Sequence, residues 1–353
     1  MEEIFELLLL LALNILAPVL AVAGLIWGFI MLRGIVRTRK SLAEAKDDPI
    51  AMKLERTRLA SRLVGFLATL LFVVGSVFAF FILLDSGHSS FAMEDPDIAQ
   101  YVVIAIAVLS GACGIWAALI RSRYNALFKE HFVAAELAKV FTNLEYSPKG
   151  RFSNAELESL NFFSHLDRVN GDDLITAEYK GIRFALCDLR IEEEYTVTVT
   201  DKDGEEREEQ RYRDVFRGRA MRFDFADAFR GVVQVVEKDF SGARVTSERG
   251  WQKVETELIV FNDTFRVFTK DPLDAMSVLT PQMIEGIFYL NKAVPGSLSL
   301  YYKDHSMHAF LATSRKAFEV SGSKTLLEEK ALLQEDIQSI TGFLETMYFK
   351  RQS

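Results

Sequence analysis

Cysteine is nearly absent: the 353 residues hold two, Cys113 and Cys187. A single pair builds no disulfide framework, and Cys113 lies in an apolar run, so a stapled secreted scaffold is excluded and a reducing compartment fits the part around Cys187. Charge is absent from long stretches. None interrupts residues 63–84 or 101–120, and the run 7–32 is broken only by Asn14 and Pro18. Each stretch is long enough to cross a bilayer. Pumps and ion-coupled transporters place ionisable groups at membrane depth, and these runs offer none. Basic residues are missing from 85–100, which holds four acidic ones. Missing too are G-x-S-x-G, a Walker A loop, a Gly-rich dinucleotide turn and H-E-x-x-H.

What remains divides the chain. Residues 1–120 carry the apolar runs, whereas 121–353 read as a soluble domain with 32 basic and 38 acidic residues, net −6. That mild acidity argues against nucleic acid, which requires a concentrated basic surface. Ala21-Val22-Ala23 looks like a signal-peptidase site, but Glu2, Glu3 and Glu6 stand where a signal peptide needs basic residues. The first run therefore reads as a retained span. Segment 33–62 holds nine basic and four acidic residues, and Arg121, Arg123 and Lys129 follow the third run. By the positive-inside rule the N-terminus and the 85–100 loop lie outside, and the 33–62 loop and everything after 120 lie in the cytoplasm. The basic loop reads as an orientation determinant before a contact for anionic lipid. Gly24-xxx-Gly28 and Ser110-xxx-Gly114 allow close helix approach; packing within one bundle is the plainer use, and a homo-oligomer is left open.

The domain expectation is a membrane bundle at 1–120 (spans 7–32, 63–84 and 101–120), a stalk helix at 121–145 and a cytoplasmic α+β domain at 146–353. No Pro or Gly follows Arg121 until Pro148. Tyr124, Leu127, Phe128, Phe132, Ala135, Ala138 and Phe141 make an apolar stripe at helical spacing. His131 beside it reads as a satisfied, partly buried histidine. Asp47 and Asp48 before Pro49 start a helix. Ser153 with Glu156 makes a capping box for a helix to about Phe163.

From Asp173 the pattern turns to β. Short strands flank Lys180-Gly181. Residues 195–200 alternate toward an Asp203-Gly204 hairpin turn, and a charged return arm at 205–214 projects into solvent. Strands with one covered face follow around Phe216, Phe223, Phe225 and Val232, with a further β segment at 251–263. Asp271-Pro272 opens a turn or short helix, and Thr280-Pro281 caps a helix to about Asn291. A hairpin at 297–313 turns at Lys303-Asp304-His305-Ser306. A last helix, 324–349, carries Leu326, Leu333, Ile340 and Met347 at heptad spacing and packs on the sheet rather than in a coiled coil.

Candidate sites are few. Asp201, Asp203, Glu205 and Glu206 imitate a calcium loop but lack its third early oxygen ligand and its twelfth-position glutamate. His305 lies in the predicted turn and His308 on a strand, so they need not converge; with Asp304 they fall short of a zinc set, and a surface turn is the plainer reading. No cofactor or metal ligand is assigned, and catalytic residues stay unknown.

Tyr146-Ser-Pro, Asn170-Gly-Asp-Asp173, Val215-Phe216-Arg217-Gly218 with Phe225 and Phe229-Arg-Gly231 form an ordered set. Glu257 to Asp263 with Phe265-Arg-Val-Phe268, Leu279-Thr-Pro281 and the 297–313 hairpin extend it. The set resembles the bacterial membrane family labelled domain of unknown function 3137 over roughly 125–350. The resemblance implies membrane helices ahead of an α+β cytosolic domain, and brings no activity and no catalytic residue. The additional first span and the Arg217-Gly218 pair depart from the family pattern.

The expected protein is thus a multi-pass protein of the bacterial inner membrane whose cytoplasmic domain is a membrane-anchored binding or scaffold module. Its partners are the lipid bilayer and a protein at the cytoplasmic face, without nucleic acid. A sensor coupling bundle to domain, or a hydrolytic enzyme with an unrecognised site, are the alternatives. The sequence leans away from an enzyme without excluding one; a cleft gathering carboxylates with shifted pKa values would revive that reading.

Overall fold

A computed structural model describes residues 2–46, 48–85, 96–200, 206–240, 250–293, 295–320 and 324–352. The chain divides into two compact units, Met1–His131 with Val320–Lys330, and Phe132–Glu319 with Ala331–Ser353.

In the first unit, α1 (Glu2–Glu44), α2 (Pro49–Asp85) and α3 (Pro96–Leu127) are three helices long and apolar enough to cross a membrane. Their outward side chains include Leu25, Ile26, Val108 and Ile115, all more than half exposed. Such an apolar exterior suits a lipid solvent. Asp48 caps α2 by accepting from the Ile50 and Ala51 amides at 2.9 and 3.1 Å, ahead of Pro49. The small residues act inside the bundle. A Cβ on Gly24 would lie 2.5 Å from Val73 on α2, and Gly28 faces Thr69. Ser110 and Ser61 join α2 and α3 by donating to the Ala68 and Ala117 carbonyls, both at 2.9 Å. Gly114 has nothing within 4 Å.

A six-residue π-helix, Phe128–Val133, follows α3 and leads into α4 (Ala134–Ala138). Tyr124, Phe128 and Phe132 are buried at intervals of four, then Val133, Leu137 and Phe141 at intervals of four. The extra residue of the π turn shifts the stripe by one position. Ala135 and Ala138, placed on the stripe by uniform helical spacing, are therefore exposed. The helix also stops at Ala138, short of 145, because Thr142–Ser147 pairs as strand β1.

The second unit is a nine-stranded antiparallel sheet with packed helices. The remaining elements are α5 (Asn154–Leu160), β2 (Arg168–Tyr179), β3 (Ile182–Thr200), β4 (Glu206–Asp224), β5 (Val233–Glu237), β6 (Gln252–Val254) and α6 (Ile259–Thr264). They continue with β7 (Phe265–Thr269), α7 (Pro272–Val278), α8 (Pro281–Ala293), β8 (Ser297–Lys303), β9 (Ser306–Ala312) and α9 (Leu326–Gln352). The strand order is β1-β2-β3-β4-β9-β8-β5-β7-β6.

The capping signals act as their chemistry dictates. Ser153 Oγ accepts from Glu156 N at 3.1 Å, and α5 ends at Asn161 with φ 51°, which places Phe162 and Phe163 beyond the helix. Asp271 caps α7, and Thr280 Oγ1 accepts from Met283 N before α8. Lys180 and Gly181, both at positive φ, make the two-residue turn of the β2–β3 hairpin.

Several expectations are corrected. The strands around Lys180-Gly181 are 12 and 19 residues long rather than short. The charged arm is ordered in a ladder, with Glu206 through Asp214 pairing back to Thr200 through Glu192. Arg213–Glu193 at 2.7 Å and Tyr212–Glu194 at 3.0 Å show why its charges suit a strand: they pair across it. Residues 259–264 are helix, not strand. Asn262 ties the preceding loop through Thr256, and only Phe261 is buried there, among Phe265 and Phe288.

The sheet centre is covered on both faces rather than one, so Phe184 to Leu189 are buried without interruption. On one face Phe162 stacks on Phe310 at 4.5 Å, with Phe163 and Phe216 edge-on or tilted around them. On the other, Phe343 of α9 stacks on Phe223 at 5.3 Å. The last helix thus packs on the sheet, burying Leu333, Ile337, Ile340 and Leu344.

Two glycines give opposite expectations. A Cβ on Gly218 would sit 1.9 Å from the Leu311 carbonyl oxygen of β9, whereas one on Gly342 in α9 meets nothing within 4 Å. In thermal unfolding of the full chain in detergent, Gly218→Ala should destabilise by about 1–3 kcal/mol, and Gly342→Ala should stabilise by up to about 1 kcal/mol. Equal effects of the two would contradict this packing.

Candidate functional site

The site grows from one residue type in an unexpected place. Within the apolar run Phe184 to Leu189 of β3 stands Asp188, 4% exposed. Buried carboxylates need partners, and its register partner across β4 is Arg219, also buried. Arg219 Nε donates to Asp188 Oδ1 at 3.5 Å, and the Ala317 amide donates to Oδ2 at 2.7 Å. The 315–318 segment that supplies this amide is held by α9: Asp336 accepts from Arg315 Nη2 at 3.0 Å and from the Phe318 amide at 3.1 Å.

Beside Asp188 the β2 ladder shifts register between Asp172 and Ile175, and Asp173 sits at φ 60°. This irregularity turns two more carboxylates toward the first. One oxygen of each of Asp172, Asp173 and Asp188 lies within 4.8 Å of the others. Lys316 Nζ donates to both oxygens of Asp172, at 2.9 and 3.1 Å, and the Tyr146 hydroxyl donates to Asp173 at 2.6 Å. Gly171 permits the approach, since a Cβ there would lie 2.6 Å from the Asp188 carbonyl oxygen. The three carboxylates form a hard-oxygen set of the kind that suits magnesium or calcium. Lys316, Arg219, Tyr146 and the Ala317 amide already occupy it, which makes it an internally satisfied network.

Above the network opens a cleft of about 350 Å³. Its rim carries Arg190, Arg217, Arg315 and Lys316, and Asp172 and Asp188 are its acidic members. Arg190 is bound to Asp214 at 2.7 Å and Glu192 at 3.1 Å. Arg217 is exposed and enters no salt bridge among the described residues.

Burial raises the Asp188 carboxyl to about 6, against the pull of Arg219 and the Ala317 amide. Burial and the neighbouring Asp173 push the Tyr146 phenol well above its ordinary range. Outside the cleft, burial followed by Arg222 and Lys303 lowers His308 to about 3. The Cys187 thiol, which accepts from the Phe152 amide at 3.4 Å, is raised by burial. Both cysteines are free.

The motifs weighed in the sequence fall elsewhere. Asp201, Asp203 and Glu205 lie outside the described residues, and Glu206 opens β4. His305 is exposed in its turn with Nδ1 3.2 Å from the Ala226 carbonyl, whereas His308 is buried on strand β9; the two do not share the turn. Sequence reasoning did not single out Asp188, Arg219 or Lys316. The available signal was a lone aspartate inside an otherwise apolar strand.

The fold and site define a chain with three apolar helices of membrane length and an antiparallel α+β domain bearing a polar cleft. Residues 214–348 match the model of a family described as a protein of unknown function, DUF3137. The resemblance read from the sequence therefore holds over this stretch. Tyr146-Ser-Pro and Asn170-Gly-Asp-Asp173 lie ahead of it. A search of curated proteins finds no match. The crystal structure of the mycobacterial trehalose monomycolate transport factor A, TtfA, is similar at 9% identity with a TM-score of 0.35, covering 64% of this chain and 96% of its own.

The raised Asp188 sets a pH expectation. Its contribution to stability is complete below the ordinary value of 3.8 and is lost as pH rises through about 6. His308 acts in the opposite sense, losing stability as pH falls below 6.5, so a difference measurement is required. Between pH 7.5 and pH 5, wild type should gain about 1–2 kcal/mol over Asp188→Asn. Asp188→Ala, which strands Arg219, should cost about 3–5 kcal/mol at neutral pH. A wild-type-minus-Asn difference that is flat across this range would refute the assignment.

Proposed function

We propose that the chain is a multi-pass protein of the bacterial inner membrane, with its N-terminus outside. Its cytoplasmic α+β domain is a membrane-anchored binding or scaffold module that takes a protein partner at the cleft. The observation that carries this is the division of labour in the cleft. Its acidic groups are spent on internal hydrogen bonds, while Arg217 and its cationic neighbours line an open rim. A rim of that kind recognises acidic side chains, and the floor beneath it is built for rigidity.

A hydrolytic site is the second reading, favoured by the raised carboxyl of Asp188 in a cleft. Against it, one Asp188 oxygen is taken by the Ala317 amide and the other faces Arg219. A general base must reach the proton it abstracts.

A photo-crosslinking side chain at Asn170, exposed on the cleft wall, distinguishes the two in intact membranes. It should give a discrete protein adduct that the same probe at Arg207, on the far ribbon, does not give. Arg217→Glu should reduce that adduct about tenfold, the loss of about 1.4 kcal/mol expected for reversing a rim charge. An adduct indifferent to Arg217→Glu would overturn the cleft as the docking site. A co-purifying metabolite turned over by wild type and not by Asp188→Asn would establish the enzyme.

A further inference from the structure

The first unit has its own concentration of charge. A groove of about 900 Å³ runs along the C-terminal half of α1. Arg33, Arg37 and Lys40 of α1, Arg62 of α2 and Arg121 of α3 converge on it, and among the described residues its lining includes no acidic one. Orientation by the positive-inside rule accounts for the number of these cations. It does not require that residues from three helices share one groove.

The groove is also amphipathic along its length. Trp27, Ile30 and Met31 line the end toward the apolar part of α1. Trp27 precedes Arg33 by six residues, about 9 Å along a helix. Arg62 is fixed at the wall, donating to the Gly34 carbonyl and to Thr38 Oγ1. Arg33 lies 4.5 Å over the Phe29 ring. Acidic groups nearby include half-exposed Glu328, 3.5 Å from Arg37, and buried Glu55, which accepts from Ser41 at 3.0 Å. Neither lines the groove.

We propose that this groove binds one anionic phospholipid, its phosphate among Arg33, Lys40, Arg62 and Arg121 and its acyl chains along Trp27 and Ile30. Basic pockets between membrane helices on the cytoplasmic side are suited to anionic headgroups, and an indole belongs at the headgroup boundary. The proposal rests on the membrane reading of the three helices.

The test uses the full chain in phosphatidylcholine nanodiscs doped with phosphatidylglycerol brominated on its acyl chains, with Trp27 emission read against a Trp27→Phe variant. Quenching should saturate at low mole fraction. Each charge removed should weaken binding about fivefold, so Arg33→Gln with Lys40→Gln should shift half-saturation about 30-fold. Arg39→Gln with Arg56→Gln removes equal charge outside the groove and should shift it less than fivefold. Equal quenching by brominated phosphatidylcholine, or equal shifts in the two double variants, would overturn the site. Displacement of the lipid by excess inorganic phosphate would assign the groove to a soluble anion instead. Failure to enter nanodiscs at all would overturn the membrane reading itself and with it the lipid site.

Discussion

A buried carboxylate facing a buried guanidinium across two strands is the constraint around which the α+β unit is arranged. Asp188 and Arg219 are register partners in β3 and β4. A one-residue slip of either strand would send its member of the pair to the opposite face, among Phe162, Phe163 and Phe310, and leave the other without it. Such a pair adds little net stability against a hydrophobic alternative, but leaving either member alone is costly. It therefore acts on register rather than on total stability. The same carboxylate fetches the Ala317 amide, which brings the 315–318 segment against the sheet, and Asp336 of α9 secures that segment from the other side. The cleft is the space left between these obligations.

The helical unit solves the burial of polar groups differently. Helices of membrane length satisfy their own backbones, so side-chain hydroxyls are free to bridge neighbours, as Ser61 and Ser110 do with carbonyls of the facing helix. Close approach at Gly24 against Val73 supplies the packing. Charges collect where α1, α2 and α3 leave their apolar stretches. There Glu55, Arg58 and Ser41 form a buried cluster, and Arg62 clamps the Gly34 carbonyl.

Much of this was legible in the sequence wherever one residue carries the signal. Asp48 before Pro49, Ser153, Asp271 and Thr280 each cap a helix through their own side chains. Lys180-Gly181 fixes a hairpin because both residues accept positive φ. The three long apolar helices follow from run length, and the final helix on the sheet follows from its apolar spacing. What could not be read depends on partners remote in the chain. Ile259 to Thr264 looks like a strand until Phe261 is seen among Phe265 and Phe288. The π turn at Phe128–Val133 is invisible to a pattern that assumes one period. The cleft joins residues near 171, 188, 217 and 316, with Tyr146 in the network beneath, and no spacing rule relates them. The local hints were the lone Asp188 in an apolar strand and the glycines, since Gly171 and Gly218 stand where a side chain would collide with backbone.

The two cationic surfaces of this chain are chemically distinct, and the difference follows from their floors. In the cleft, each of Arg190, Arg315 and Lys316 has an acidic partner within 3.1 Å, so their field is largely neutralised and acts over contact distance. That suits recognition of a shaped partner, where complementarity decides the outcome. In the α1 groove Arg33, Arg37, Lys40, Arg62 and Arg121 line an apolar wall, with Glu328 3.5 Å from Arg37. Cations set beside apolar surface suit a ligand that supplies both an anion and an apolar tail. A phospholipid carries the two on one molecule, whereas a polypeptide segment presents them only by particular sequence. Shape supports the protein proposed for the cleft; the joining of cationic and apolar wall supports the lipid proposed for the groove.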